Sequence, residues 1–125
     1  MTRAGRSLVG FGIYAAFMGA FLFVTPNTLL AFLLTKPTSE HWIRLLGVSA
    51  MVLGTYYIAA GRNDLVAMAR ASLYGHTVMI VCFTSLVLLG IAPVLLLGIA
   101  GNEAVGLAWT WWALRADARD SDARG

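Results

Sequence analysis

The stretch between Arg70 and Arg115 contains one formally charged side chain, that of Glu103, in 44 residues. Apart from His76 and a few uncharged polar residues, the rest of this stretch is apolar, small or aromatic. A hydrocarbon core about 30 Å thick needs about 20 apolar residues per helix, so the stretch has the length of two membrane-spanning helices. Glu103 is then the residue that most needs an explanation.

The whole chain is too apolar for a soluble domain of its size, because 59% of its 125 residues are hydrophobic and only 12% are charged. Since backbone polar groups in lipid must be satisfied within the segment, we predict an all-α four-helix transmembrane bundle. Pro26 stops the first helix, and the apolar residues 29–34 predict a short interfacial segment. The predicted spans cover residues 8–25, 42–60, 71–91 and 94–114, and residues 115–125 are expected to form a mobile polar tail.

The cations are distributed unevenly over the predicted loops. Seven of the nine lie in the N-terminal segment, the loop at 61–70 and the C-terminal tail, and only Lys36 and Arg44 lie on the other side. The positive-inside rule therefore predicts cytoplasmic N- and C-termini. These cations form no basic stripe with interleaved aromatic residues, so nucleic acid is not an expected partner. The single cysteine, Cys82, excludes an intrachain disulfide and a Cys-based metal cluster.

Glu103 lies about ten residues from either end of its predicted span, which places it near the bilayer midplane. A charged side chain there costs on the order of 3 kcal/mol, so we expect Glu103 to face the bundle, either protonated or paired. Asn102 beside it could donate an amide to a neighbouring helix. Two interpretations remain open: Glu103 is a hydrogen-bonded residue that holds helices together, or it is a proton or ligand site.

Arg44 is the second unusual residue, because it lies about one turn inside the second predicted span. It is in register with Gly47, Gly54 and Gly61, which are seven residues apart and predict a smooth face for close helix packing. The Arg44 side chain could extend outward to lipid headgroups, or it could turn inward and pair with Glu103. The sequence leaves both alternatives open.

His76 lies about five residues inside the third predicted span and is a candidate acid/base partner for Glu103. The alternative is an ordinary hydrogen-bonded histidine near the inner interface. We predict no metal and no cofactor, because no second histidine, cysteine or acid cluster accompanies His76 at ligand spacing. The candidate ligand-binding residues are Arg44, His76, Asn102 and Glu103, and the catalytic candidates are Glu103 and His76.

Three short motifs resemble those of small four-helix bacterial membrane proteins of the DoxX-like type. They are His41-Trp-Ile-Arg-Leu-Leu-Gly47, Gly54-Thr-Tyr-Tyr57, and Glu103 followed by Trp109-Thr-Trp111. The resemblance covers most of the chain at the level of span layout, and it implies a four-helix bundle in the bacterial inner membrane without implying an active site. An acid and histidines inside a bundle are also similar to sterol-isomerase-type membrane enzymes.

Three functional hypotheses follow. In the first, the protein binds a lipophilic small molecule, a lipid or a partner membrane subunit through Arg44 and Glu103 in a glycine-lined interior. In the second, it is an isomerase-like enzyme that uses Glu103 and His76 on a lipophilic substrate. In the third, it is a small transporter or channel, which would require a homo-oligomer because four helices with one acid scarcely line a polar route.

Overall fold

The computed structural model describes residues 1–125 as five α-helices without β-strands. The helices are α1 (Arg3–Val24), α2 (Pro26–Phe32), α3 (Trp42–Arg62), α4 (Val66–Leu88) and α5 (Leu96–Asp122). Three of them, α1, α3 and α4, are long and apolar enough to cross a membrane. The prediction of an all-α protein with membrane-type helices is therefore confirmed at this level. Asn102 and Glu103 make α5 more polar, and it is not among these three.

The interior of the protein is made of small and polar residues, while large apolar side chains lie on the outside. Most buried apolar residues are alanines, and the buried polar residues include Ser72 and Thr110. In contrast, Phe17, Leu45 and Val105 are all more than 60% exposed. In water this distribution would leave a large apolar surface unfavourably hydrated, whereas lipid solvates it and lets small residues bring helices close together.

Helices α1 and α3 pack against each other through three pairs of glycines: Gly5 with Gly61, Gly12 with Gly54, and Gly19 with Gly47. In each pair one glycine lies so close to the carbonyl oxygen of the other that an added Cβ would be only 2.5–2.7 Å from it. The two residue numbers of each pair have the same sum, as an antiparallel arrangement requires. The spacing of seven repeats one face of a helix, so the two backbones approach each other closely at all three pairs.

Helices α4 and α5 also pack against each other, after a reversal between Leu89 and Leu95. Gly90 in this reversal has a φ of 71°, a left-handed conformation that glycine adopts without steric cost. Around the molecule the long helices follow the order α3, α1, α5, α4, and α3 hardly touches α4. The seam between α3 and α4 is therefore open.

The segment 115–125, for which the sequence predicts a mobile polar tail, is helical as far as Asp122, where α5 ends. The Asp117 carboxylate accepts hydrogen bonds from the backbone N–H groups of Arg3 (3.1 Å) and Ala4 (2.8 Å) at the start of α1. The Arg3 side chain also pairs with Asp120 at 2.7 Å. The first N–H groups of a helix lack intrahelical partners, and a carboxylate satisfies them well. The alternating Arg and Asp residues of segment 115–125 do not reveal that α1 requires an acceptor at its start.

Candidate functional site

His76 and Glu103 form the one buried hydrogen bond between two side chains of the protein. Nδ1 of His76 lies 2.6 Å from Oε2 of Glu103, and the two residues are only 2% and 6% exposed. His76 shares the buried face of α4 with Ala69 and Ser72, and Glu103 shares that of α5 with Ala100. These small neighbours let the two helices approach closely enough for the pair to form. Both residues are candidates in the sequence, which leaves their pairing open.

The hydrogen bond requires a proton between Nδ1 and Oε2. The pair has no net charge either as imidazolium with carboxylate or as neutral imidazole with carboxylic acid. In a medium of low dielectric constant a net charge is costly, so a neutral pair is the favoured state. The contact therefore lets a carboxyl group lie inside the helical assembly without an uncompensated charge.

A cavity of about 310 Å³ extends from this pair between the helices. Most of the residues that line it are apolar, including Met18 on α1, Leu53 on α3 and Phe83 on α4. Its polar side chains are those of Tyr14, Tyr57, His76 and Glu103. Ligand sites typically combine an apolar wall with a few polar groups in this way.

Phe11 joins the aromatic residues at the polar end of the cavity. Its ring centroid lies 4.5 Å from that of His76 in a perpendicular arrangement, 5.1 Å from Tyr57 and 5.8 Å from Tyr14. Edge-to-face contacts of this kind are favourable and fix the orientation of the rings. The imidazole is therefore held by Glu103 on one side and by an aromatic ring on another.

Each side chain of the pair has one further polar atom, Nε2 in His76 and Oε1 in Glu103, and these two atoms differ in how deeply they are buried. Nε2 of His76 is fully buried and has no hydrogen-bond partner. It lies next to Gly106, where an added Cβ would be 3.4 Å from Nε2. Oε1 of Glu103 also has no hydrogen-bond partner, but it is not buried to the same degree. Glu103 is therefore the member of the pair that can meet a molecule in the cavity.

The other two sequence candidates do not join this site. Arg44 donates to the carbonyl oxygens of Phe23 and Val24, the latter at 3.3 Å, at the C-terminal end of α1. The pair of Arg44 with Glu103 is thus not formed, because the last carbonyls of a helix lack partners and attract a cation. Asn102 is half-buried and is not among the residues that line the cavity.

The sequence alone does not reveal the contribution of α1 and of the tyrosines to the cavity. Phe11, Tyr14, Ala15, Met18 and Leu22 line the cavity from α1 at helical spacing. Such a stripe was visible in the sequence, but apolar stripes occur on every packed helix and do not by themselves indicate a cavity. Tyr57 is 7% exposed and therefore belongs to the interior.

No three His, Cys, Asp or Glu side chains converge in a geometry suited to a metal ion. Comparison of the chain with protein-family models, with curated proteins and with solved structures finds no match.

Proposed function

We propose that this protein is a small integral membrane protein that binds a lipophilic small molecule in the cavity next to His76 and Glu103. The observation that carries the proposal is an apolar cavity of about 310 Å³ with a buried acid at one end. An acid held inside a membrane protein is costly, and such residues generally mark functional sites. The polar spot consists of Glu103 and His76 and does not include Arg44.

The contact between Asp117 and the start of α1 supports four membrane crossings. If α1, α3 and α4 each cross once, the end of α4 lies on the opposite side of the membrane from Arg3. Asp117 accepts from the backbone of Arg3, so α5 must cross back. Its 27 residues extend about 40 Å, which is sufficient for a crossing. We therefore place α5 in the membrane as the fourth span.

The excess of cations near both termini supports a cytoplasmic location for them. The resemblance to DoxX-like proteins supports the inner membrane of a bacterium as the location. In this orientation Trp109 and Trp112, which are 45% and 57% exposed, lie at the inner interface, where tryptophan is commonly found. The short helix α2 then lies at the outer interface.

Binding can be tested with diphenylhexatriene, a neutral lipophilic probe, by native mass spectrometry of the purified protein. Ala50 lines the cavity, and Ala50→Trp should fill part of it and abolish the probe adduct. Val48→Trp is the matched control on the same helix, because Val48 is 38% exposed and does not line the cavity. Equal adducts in both variants and the wild type would overturn the proposal.

A second function, acid/base catalysis on the bound molecule, is favoured by the 2.6 Å contact of His76 with Glu103. Glu103 would exchange a proton with the ligand and His76 would position it, since Nε2 is closed off from the cavity. In D₂O, a molecule that co-purifies with the protein should gain deuterium at an acidic carbon, and Glu103→Gln should prevent this. A co-purifying molecule that gains no deuterium with the wild-type protein would remove the enzymatic hypothesis.

A further inference from the structure

The cavity is elongated along the bundle and has one polar end. Its wall follows α1 from Phe11 to Leu22 and α3 from Leu46 to Tyr57. Each segment advances eleven positions, which corresponds to about 16 Å at the rise of an α-helix. Because α1 and α3 are antiparallel, Phe11 and Tyr57 lie at the end with His76 and Glu103, and Leu22 and Leu46 lie at the apolar end.

The cavity volume limits the shape of the ligand. About 310 Å³ is at the small end of ligand pockets, although the lining extends over about 16 Å. A long and small cavity accommodates one hydrocarbon chain and excludes a lipid with two chains. The methyl end of such a chain would lie near Leu22 and Leu46.

The seam between α3 and α4 gives the cavity a side that faces the surrounding lipid. These two helices hardly touch, and cavity-lining residues on both sides of the seam are also exposed. Leu53 on α3 is 45% exposed and Met79 on α4 is 38% exposed. A ligand dissolved in the bilayer could therefore enter sideways, between α3 and α4.

The polar end offers both hydrogen-bond donors and an acceptor. The hydroxyl groups of Tyr14 and Tyr57 have no partner in the protein, and neither has Oε1 of Glu103. A hydroxyl group on the ligand can donate to Oε1 and accept from a tyrosine at the same time. A carboxylate head could only accept, and it would meet the Glu103 carboxyl group unfavourably.

On the basis of the proposed binding function, we infer that the ligand is a single-chain lipid with a hydroxyl head, which enters from the bilayer between α3 and α4. A chain already dissolved in lipid gains little from leaving it, because lipid tails are as apolar as the cavity wall. Selectivity must therefore come from the hydrogen bonds of the head.

The experiment uses the full-length protein in lipid nanodiscs and a dodecanol analogue with a photoreactive diazirine near its methyl end. Labelled peptides are identified by mass spectrometry, and unlabelled dodecanol, dodecane and dodecanoic acid are compared as competitors. We expect labelling near Leu22 and Leu46, and displacement by dodecanol at concentrations about 5- to 30-fold lower than by dodecane.

Two matched pairs of variants make the test specific. Tyr57→Phe removes one hydroxyl from the cavity and should reduce the preference for dodecanol, whereas Tyr56→Phe changes a neighbouring residue that is 61% exposed and should not. Leu53→Trp narrows the seam and should slow labelling. Val52→Trp, at a position that is 43% exposed and outside the cavity, should leave the rate unchanged.

The outcomes separate this inference from the function on which it rests. Labelling inside the cavity with equal displacement by dodecanol and dodecane would overturn the hydroxyl head and leave ligand binding in place. An unchanged labelling rate in Leu53→Trp would overturn the route between α3 and α4. Labelling confined to the outer faces of the helices would overturn the proposed function itself.

Discussion

The side chains of His76 and Glu103 are both titratable, and they form a hydrogen bond in a region with few other polar groups. Removing either one leaves the other buried without its partner, and an unpaired buried polar group costs more than the hydrogen bond contributes. Interaction between the two residues is therefore expected to dominate the effect of substituting them. The sequence identified Glu103 by its isolation, but its partner depended on the rotation of α3, α4 and α5 about their axes. In the structure, the rotation of the helices brings His76, and not Arg44, next to Glu103.

A double-mutant cycle with His76→Ala and Glu103→Ala should show strong coupling. We expect the double variant to be little less stable than either single variant, with a coupling free energy of about 0.5–3 kcal/mol. The free energy of unfolding is measured by titration with sodium dodecyl sulfate in mixed micelles. Ser72→Ala with Thr110→Ala forms a control cycle, since both residues are buried but have no mutual hydrogen bond. Additive effects of the His76 and Glu103 substitutions would contradict the prediction.

Asp64 makes stability depend on pH at the end of the molecule that carries the N-terminus. Its Oδ1 accepts from the backbone N–H of Thr2 at 2.6 Å and from the Thr2 hydroxyl at 2.7 Å. These hydrogen bonds hold the pKa of the Asp64 carboxyl below its ordinary value of 3.8. The folded protein then binds fewer protons than the unfolded chain, so this stabilisation is present above pH 3.8 and is lost as the pH falls through the folded-state pKa.

The substitution Asp64→Asn should therefore remove part of the acid sensitivity. We expect the variant to be less stable than the wild type at neutral pH, and the difference to narrow as the pH falls below 3.8. Thermal unfolding in detergent at a series of pH values provides the measurement. Asp122→Asn serves as the control, because Asp122 is exposed and outside the contacts with Thr2. A difference between Asp64→Asn and wild type that does not vary with pH would contradict this assignment.

At the scale of the helices, the contact between α1 and α3 depends on the absence of side chains. The glycine face of α3 was predictable, because Gly47, Gly54 and Gly61 are seven residues apart. Its partner face on α1 has the same spacing, because Gly5, Gly12 and Gly19 are also seven residues apart, but the first span was predicted to begin at residue 8, which left Gly5 outside it. Hydropathy marks where a chain becomes apolar, whereas the start of α1 is set by the hydrogen bonds of Thr2 and Asp117 to its first N–H groups.

Gly54→Val should separate α1 from α3. Even its Cβ would lie 2.6 Å from the carbonyl oxygen of Gly12 and 2.7 Å from the backbone nitrogen of Ala16, and neither backbone atom can move without shifting the helix. Overpacking of this kind costs about 1–3 kcal/mol. Gly98→Val on α5 is the control, because a Cβ there meets nothing within 4 Å. Unfolding free energies in detergent should fall for the first variant and change little for the second, and equal losses would argue against the glycine contact.

Asp117→Ala should destabilise the N-terminal turn of α1 by about 0.5–2 kcal/mol, the usual cost of losing a helix cap. The substitution leaves the N–H groups of Arg3 and Ala4 without their acceptor. Hydrogen exchange of these two amides, measured by mass spectrometry, should accelerate more than that of amides in the middle of α1. Exchange that stays as slow as in the wild type would mean that α5 does not cap α1.

For the molecule as a whole, two polar contacts bring together segments that are far apart in the sequence. Asp64, between α3 and α4, binds Thr2, the residue that caps α1, and Asp117, on α5, binds the backbone at the start of α1. The beginning of the chain, the connection after α3 and the end of α5 therefore lie at the same end of the molecule. The sequence predicted the same grouping from charge alone, because cations concentrate in these segments. It could not show that polar contacts join them, since Asp64 and Asp117 are 62 and 113 residues away in the chain from donors that they bind.

Thiol accessibility tests this arrangement directly. In a Cys82→Ala background, single cysteines are introduced by Ser39→Cys, in the connection before α3, and by Ser121→Cys, near the end of α5. A membrane-impermeant maleimide added to intact spheroplasts should label the cysteine at position 39 and should label that at position 121 only after lysis. Four crossings with cytoplasmic termini require this pattern. If α5 remained on the outer side, both cysteines would react before lysis, and the contact of Asp117 with α1 could not form.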